Sequence, residues 1–492
     1  MPADLRVNMD LANERRAIAA SIDIIHTSFI SKLYSDRSPQ MATPYVTGSQ
    51  GPNKAIGPLR VDPRNPRYLN DGKGAVYLAG MHDGWEVQDN AYEDQDEIIF
   101  DFDSFLKDLS SKNLNLMRLW TVEHSRAGDK TSHLTWPTPY KRVAGRGTAR
   151  DGQLRFDLTQ FNPDFSRRLV QRAMAAQSHG IYCLVMLFCG LSDWGSESIN
   201  TSAYHPYAQG NNIQGLNADL DGDGRVKEVH TWQGEDHWLT QLQRAYVRHL
   251  IDELNELDNI IWEICNECPM AYSKEWQYQM VGWIHRYESD FKPKQHPVLL
   301  SGGPDGANNH SLLSSPVECI APDSDGGTLY REYIPETDGA KVVILDTDHI
   351  FGYNLEDPRW VWRAFMRGYN PLYMDRWTQD RLNPERERVR RALGHTRLFA
   401  SHLNMEVMSP REDLASTRFC LANPGHQYLV FSPRDEQAVV SVQVSPGCYD
   451  YEWFDANLGL TASSGRITTV GGQESFTSPV TGDAVLFLKS TS

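Results

Sequence analysis

Eight short apolar runs, separated in several places by helical patterns, constrain the fold of this 492-residue chain more than any other feature. The runs are AVYLAGM (75–81), LNLMRLW (114–120), IYCLVMLF (181–188), NIIWEI (259–264), PVLLS (297–301), ECIAP (318–322), KVVILD (341–346) and NPLYMD (370–375). Strands that alternate with helices pair in parallel, because each crossover helix returns the chain to the same edge of the sheet. Eight such units predict an α/β fold, a closed (β/α)8 TIM barrel.

The alternative is a doubly wound open sheet, which needs a glycine-rich phosphate-binding turn after its first strand. The residues that end the first run and follow it, GMHDGWEVQ (80–88), do not have that pattern. Helical spacing is clear in DHWLTQLQRAYVRHLIDELNELDN (236–259), whose leucines form one apolar stripe with a tyrosine. We therefore favour the barrel.

The pattern changes after residue 402. Short runs of strand type, split by proline, glycine and asparagine turns, follow one another with no helical spacing between them, which predicts an antiparallel β-sandwich. We expect three parts: an N-terminal extension and linker (1–57) without an assigned function, the barrel (58–401) and the accessory β-sandwich domain (402–492).

Charge and hydropathy exclude several classes of partner. The formal net charge of −16 argues against nucleic-acid binding, because that binding depends on lysine and arginine to neutralise the phosphates. We find no apolar run long enough to span a membrane. The first residues lack a secretory pattern, so we expect a cytoplasmic protein, or a secreted one if a leader has been removed. The sequence does not indicate an oligomeric state.

The seven cysteines are an odd number, and several lie inside apolar runs. This favours buried thiols over a disulfide framework. Cys265 and Cys268 form a CxxC pair, but no second Cys/His pair at zinc spacing accompanies it. We therefore do not favour a redox or zinc role.

In a parallel barrel the residues just past the strand ends share one rim, where catalysis occurs. A glutamate after a strand is ordinarily a solvated loop charge, but here many polar and aromatic residues are expected to converge at that rim. The candidates are His82, Trp85, Arg118, Trp120, His124, Asn266, Glu267, Asp346, Asp348, His349, Asp375 and Trp377.

Two carboxylates on different strands suit the cleavage of a glycosidic bond, in which one protonates the leaving oxygen and the other attacks the anomeric carbon or activates water. Glu267, beside the neutral Asn266, fits the acid/base role. For its partner we prefer Asp348 and keep Asp346, which has the same strand parity, as the alternative. Glu263 is expected inside the barrel as a structural carboxylate paired with Arg118.

The remaining rim residues are expected to bind substrate. We expect His82, His124 and His349 to hydrogen-bond to substrate or to a catalytic carboxylate. Trp85, Trp120 and Trp377 serve either as sugar platforms or as rim packing, and Asp375 is a further candidate contact.

The long insertion between the third and fourth runs, about 190–235, contains NADLDGDGRVKE. From Asn217 this matches a calcium loop with Asn217, Asp219, Asp221 and Glu228 as ligands; a solvated Asp/Gly turn is the alternative. We expect the insertion to wall the rim, which favours a pocket and cleavage of terminal sugars. The chemistry itself requires no cofactor.

WEICNECP (262–269) resembles the Trp-Glu-x-x-Asn-Glu-Pro motif on strand four of the clan A glycoside hydrolases, retaining (β/α)8 enzymes. NPRYLNDGKGAVYLAGMHDGW (65–85) and GDAVLFLK (482–489) resemble the first-strand segment and the C-terminal domain of a branch that includes apiosidase-like enzymes.

The resemblance implies a retaining mechanism with Glu267 as acid/base, Asn266 on the sugar 2-hydroxyl and Arg118 orienting the nucleophile. Cys268 departs from the motif, and strand seven carries Asp where the clan usually has Glu. An inactive carbohydrate-binding barrel and a carbohydrate lyase are the alternatives, and the net charge argues against the lyase.

Overall fold

The computed structural model describes residues 54–84, 86–91, 99–127, 133–190, 201–302, 309–323, 337–347, 356–433 and 439–491. They belong to the second of two units of the chain, Pro52–Ser492. Trp85, Asp348, His349 and most of the N-terminal extension lie outside the described residues. Within them, no helix has the length and apolar character needed to cross a membrane.

Eight parallel strands close into a barrel, as predicted. They are β1 (Gly80–His82), β2 (Leu116–Leu119), β3 (Tyr182–Cys189), β4 (Ile260–Asn266), β5 (Val298–Ser301), β6 (Cys319–Ala321), β7 (Val342–Asp346) and β8 (Asn370–Met374). The ring closes where Met374 of β8 pairs with His82 of β1, and Gly80 of β1 pairs with Leu116 of β2. Every strand overlaps one of the eight apolar runs.

The first run is divided between two sheets, unlike the single strand expected. Ala75–Val76 pairs antiparallel with Leu69–Asn70, which also pairs with Arg60–Val61. Only Gly80–His82 enters the barrel. A continuous apolar run shows that its residues are buried and does not show where the chain passes from one sheet to another.

Helices surround the barrel and begin at recognisable caps. Asn162 caps α2 and Asn383 caps α8, each followed by a proline in the first turn, the position that tolerates it. The helices of the described residues are α1 (Phe102–Ser111), α2 (Pro163–Ser178), α3 (Trp238–Leu254), α4 (Met270–Phe291), α5 (Asn309–Leu313), α6 (Arg359–Met366), α7 (Trp377–Asp380) and α8 (Pro384–His402). The stripe expected on α3 is buried at Leu239, Tyr246, Leu250 and Leu254.

The longer loops at the rim carry small sheets and short helices. One sheet contains Asp89–Ala91, Arg126–Ala127 and His133–Trp136, and a hairpin joins Tyr140–Arg142 to Phe156–Phe161. The insertion after β3 carries the short helices Ser202–Tyr204 and Lys227–His230.

The C-terminal region consists of two antiparallel sheets. Its strands are β9 (Ser409–Pro410), β10 (Cys420–Asn423), β11 (Gln427–Ser432), β12 (Val439–Val444), β13 (Gly447–Asp455), β14 (Leu460–Thr469), β15 (Gly472–Thr477) and β16 (Ala484–Ser490). β12 pairs with β15, and the other six form the larger sheet. Val442 and Phe476 of the small sheet share one buried cluster with Val430 and Leu486 of the larger sheet.

An aromatic contact joins the larger sheet to the barrel. Trp362 of α6 stacks on Phe431 of β11, with ring centroids 6.0 Å apart and planes 14° apart. Phe399 of α8 meets Phe454 of β13 edge to face at 5.1 Å. The barrel and this sheet therefore share one apolar core.

Gly80→Ala should destabilise the barrel at its closure. A Cβ atom at Gly80 would lie 1.8 Å from the carbonyl oxygen of Leu116, so one of the paired backbones has to move. We expect the free energy of unfolding, measured in urea, to fall by about 1–3 kcal/mol or more. Gly74→Ala is the matched control, because its nearest neighbour would be Glu406 Oε1 at 3.6 Å. Equal losses in the two variants would contradict the β1–β2 pairing.

Candidate functional site

A charged layer lies directly above an apolar floor inside the barrel. Residues two positions apart on a strand face the same side, so Arg118, Glu263 and Asp346 follow the floor residues of β2, β4 and β7 into the interior. The floor is one buried cluster that includes Leu116, Leu184, Ile261, Leu299, Ile344 and Leu372. The polar site therefore begins where the apolar filling of the barrel ends.

Arg118 is the centre of this layer. Its Nε donates to Glu263 Oε2 at 2.8 Å, and Nη2 donates to Glu263 Oε1. Nη1 donates to Asp346 Oδ2 at 3.2 Å, and Nη2 also donates to Asn266 Oδ1 at 2.8 Å. All four side chains are buried. The prediction that Glu263 pairs with Arg118 inside the barrel is confirmed.

Asp346 is the last residue of β7 and faces two cationic or polar partners. Besides Arg118, the Nε2 atom of His82 lies 3.4 Å from Asp346 Oδ1. Trp120 completes this side, with its ring 5.7 Å from the His82 ring and 4.7 Å from the guanidinium carbon of Arg118. The structure thus brings together five of the residues that the sequence placed at the rim: His82, Arg118, Trp120, Asn266 and Asp346.

Glu267 leaves the strand in an unusual backbone conformation. Asn266 ends β4, and Glu267 has φ +54°, in the left-handed region that non-glycine residues seldom adopt. Gly190 makes room for this turn, because a Cβ atom there would lie 2.6 Å from the carbonyl oxygen of Glu267. Pro269 follows and α4 begins at Met270. Asn266 is buried, whereas Glu267 is partly exposed beyond the strand end.

Asp83, at the tip of β1, adds a carboxyl whose pKa is raised. It accepts a hydrogen bond of 2.9 Å from the backbone N–H of Thr378. Burial raises the pKa of Asp83 to about 7, against the lowering effect of the Thr378 hydroxyl and with a smaller raising effect from Glu86. This carboxyl, next to His82 in the chain, therefore titrates near neutral pH.

His124 is buried with two histidines of the insertion. Burial lowers the pKa of His124 to about 4, and the neighbouring His230 contributes to the shift. The pKa of His205 is lowered by burial and then by His230 and His124. Sequence reasoning did not select His205, and its place in a long insertion is the only signal that pointed to the region.

Asp375 and Trp377 make structural contacts. Asp375 is fully buried and accepts from Arg390 Nε at 2.5 Å and from Arg386 Nη1 at 3.4 Å, both on α8. Trp377 packs against Phe100 and Phe105, and its Nε1 donates to Asp108 Oδ2 at 3.0 Å. The substrate contact predicted for Asp375 therefore has no support in the geometry, and for Trp377 the contacts favour rim packing, the second of the two predicted roles.

The acidic loop in the insertion is assembled differently from the predicted calcium set. Carboxylate oxygens of Asp219, Asp221 and Asp223 lie within 4.8 Å of one another. The Nζ atom of Lys227 lies 2.6 Å from Asp221 Oδ2 and 2.7 Å from Asp223 Oδ2 and supplies a positive charge there.

The other two predicted ligands, Asn217 and Glu228, have different surroundings from the aspartates. Asn217 Oδ1 accepts from the backbone N–H groups of Gln209 and Asp219, and Glu228 is buried. Calcium binding by this loop stays a prediction.

Cys265 and Cys268 form a disulfide, contrary to the expectation of free thiols. Their Cα atoms are 5.9 Å apart, a normal separation for a disulfide, because the left-handed turn at Glu267 folds the chain back. The expectation of buried thiols is confirmed for Cys183, Cys189, Cys319 and Cys420.

Solved structures share this architecture, whereas no family model and no curated protein matches the chain. A structure described as a glycoside hydrolase has a TM-score of 0.56 at 11% identity, covering 89% of this chain and 99% of its own. A glycoside hydrolase family 5 protein from Bacteroides vulgatus has a TM-score of 0.57 at 12% identity, with 89% and 95% covered. At these identities the similarity establishes the fold.

Removing the central cation should destabilise the barrel strongly. In Arg118→Met the carboxylates of Glu263 and Asp346 stay buried and lose their positive partner, so we expect the free energy of unfolding to fall by about 3–5 kcal/mol. Adding Glu263→Met removes one of those carboxylates and should recover part of the loss. Both are measured by urea unfolding.

Arg466→Met is the control, because its ion pair with Asp450 is exposed at 63% and 56% and should contribute little. A double variant less stable than Arg118→Met would show that Glu263 is not held by this pairing.

Proposed function

We propose that this protein is a glycoside hydrolase that cleaves O-glycosidic bonds with Glu267 as acid/base. One observation carries the proposal: Arg118 binds both Asp346 at the end of β7 and Asn266, the residue before Glu267 at the end of β4. One buried cation thus holds the end of β7 and the end of β4 next to each other, and Glu267 directly follows Asn266. Two solved structures that match this fold over 89% of the chain are described as glycoside hydrolases.

The proposed mechanism is a retaining double displacement. A carboxylate of strand seven attacks the anomeric carbon and forms a glycosyl ester, while Glu267 gives its proton to the departing oxygen. Glu267 then removes a proton from water, which attacks the anomeric carbon and releases the carboxylate. Partial exposure of Glu267 suits this role, because the leaving group and the water must both reach it.

The sequence favoured Asp348 as the nucleophile with Asp346 as the alternative; Asp348 lies outside the described residues, and the contacts of Asp346 support the alternative. A nucleophilic carboxylate has to be ionised and fixed in orientation. Arg118 contacts one carboxylate oxygen of Asp346 and His82 contacts the other, so the side chain is held in one orientation. This matches the role that the family resemblance implies for Arg118.

The substrate is proposed at the level of a class: a glycoside, an oligosaccharide or a polysaccharide. Trp120 and His82 stand beside the proposed nucleophile and offer a ring face and a hydrogen-bonding edge. The insertion packs His205 and His230 next to His124. In this proposal it walls the rim and favours cleavage of terminal sugars. The proposal also places the protein in the glycoside hydrolase branch that includes apiosidase-like enzymes, on the basis of the sequence resemblance.

A carbohydrate-binding barrel without turnover is the second candidate. It is favoured by the aspartate on strand seven, whose side chain is one methylene shorter than the glutamate usual in the clan, and by the engagement of Asp346 with Arg118.

Glu267→Gln should lower kcat on aryl glycosides by about 10²–10⁴-fold, because glutamine cannot transfer a proton to the leaving oxygen. The loss should be smallest for acidic phenol leaving groups, which depart without protonation, and azide should restore turnover by replacing water. Initial rates over a series of leaving groups provide the measurement.

Glu275→Gln, an exposed change on α4, is the control and should keep the wild-type rate. Full activity in Glu267→Gln would refute the acid/base assignment. Tight sugar binding by the wild type without turnover would support the binding barrel. Asp346→Asn and Asp348→Asn, compared in the same assay, identify the nucleophile.

A further inference from the structure

A histidine of the insertion lies against the cysteine pair that encloses Asn266 and Glu267. One nitrogen of His230 and the two Sγ atoms of Cys265 and Cys268 all lie within 4.8 Å of one another. All three residues have 0% exposure. His230 ends the short helix Lys227–His230, more than thirty residues before the pair. The fold thus brings to the two cysteines a third metal donor that the sequence around them does not contain.

The position of His230 is fixed by its neighbours. Its ring meets Trp276 of α4 at 5.1 Å and Phe188 of β3 at 6.5 Å, both in edge contacts. Gln243 of α3 donates to the carbonyl of Val229 and accepts from Trp276 Nε1 at 3.1 Å. The imidazole is therefore held beside the sulfur atoms by α3, α4 and β3, and His124 and His205 lie near it as well.

Two sulfurs and one imidazole are the donors that Zn²⁺ and similar thiophilic cations prefer. At bond lengths of about 2.3 Å to sulfur and 2.0 Å to nitrogen, tetrahedral ligands stand about 3.5–3.8 Å apart. The three donor atoms, all within 4.8 Å of one another, are close enough to adopt that arrangement once the S–S bond is open.

The donors exist only after reduction of the disulfide. A phosphine or dithiol reductant supplies two electrons, two protons are taken up, and the S–S bond gives two thiols. A divalent cation then displaces both thiol protons and binds two thiolates and the neutral imidazole.

We propose that His230, Cys265 and Cys268 form a site for a thiophilic divalent cation of the Zn²⁺ class in the reduced protein. The three protein donors leave one tetrahedral position for water. The disulfide and the cation exclude each other, and either one ties the backbone on both sides of Glu267. The inference concerns metal binding alone and does not depend on glycosidase activity.

Cobalt(II) provides the test, because thiolate coordination gives an intense charge-transfer band in the near ultraviolet. The full chain is purified without oxygen in a phosphine reductant, and mass spectrometry after alkylation confirms that all seven cysteines are reduced. We expect one equivalent of Co²⁺ to produce the band and Zn²⁺ to remove it. The oxidised protein should give no band, a comparison that needs no variant.

The variants identify the ligands. His230→Gln and Cys268→Ser should weaken Co²⁺ binding by about 10-fold or more. His310→Gln, an exposed change on α5, and Cys448→Ser, the partly exposed free cysteine, should leave it unchanged. The absence of a band in the reduced wild type would overturn the proposal in favour of a disulfide that is structural only. Equal affinity in His230→Gln and His310→Gln would overturn it as well.

Discussion

The guanidinium of Arg118 is the interaction on which the geometry of the rim depends. It lies on β2 and bonds to Glu263 and Asn266 of β4 and to Asp346 of β7, all out of contact with water. A buried charge is tolerated only when it is paired and hydrogen-bonded, so the register of these three strands and the placement of the polar groups are coupled. The apolar floor beneath them excludes solvent from below.

Burial assigns different roles to two glutamates of one strand. Glu263 lies within β4, and both its oxygens are occupied by Arg118. Glu267 lies beyond the end of the same strand, in a left-handed turn that fits against Gly190. The first is committed to structure, whereas the second is a partly exposed residue. The same residue type thus serves as a fixed counter-charge in one position and as a candidate proton carrier in the other.

The barrel was predictable because burial of a parallel strand on both faces leaves a continuous apolar run in the sequence. The pairing of Glu263 with Arg118 followed from strand parity. Position past a strand end does not show which way a side chain turns, which is why Asp375 was a candidate substrate contact although it faces α8, and why Trp377 could not be assigned between sugar platform and rim packing.

The disulfide was also missed, because a CxxC spacing is equally compatible with thiols, a metal and a bond. The backbone turn at Glu267 decides in favour of the disulfide, because it folds the chain back and brings the two cysteines together. His205 carries no sequence signal that separates it from other loop histidines.

The stacked contact between Trp362 and Phe431 joins the C-terminal sheets to the apolar core of the barrel. Phe399 and Phe454 extend the same aromatic contact. A recombinant fragment cut after α8 would present these indole and phenyl rings to water, and such a surface drives self-association. Evolutionary exchange of the C-terminal sheets for another module would have to supply a replacement apolar face, so the barrel and these sheets are constrained to diverge together.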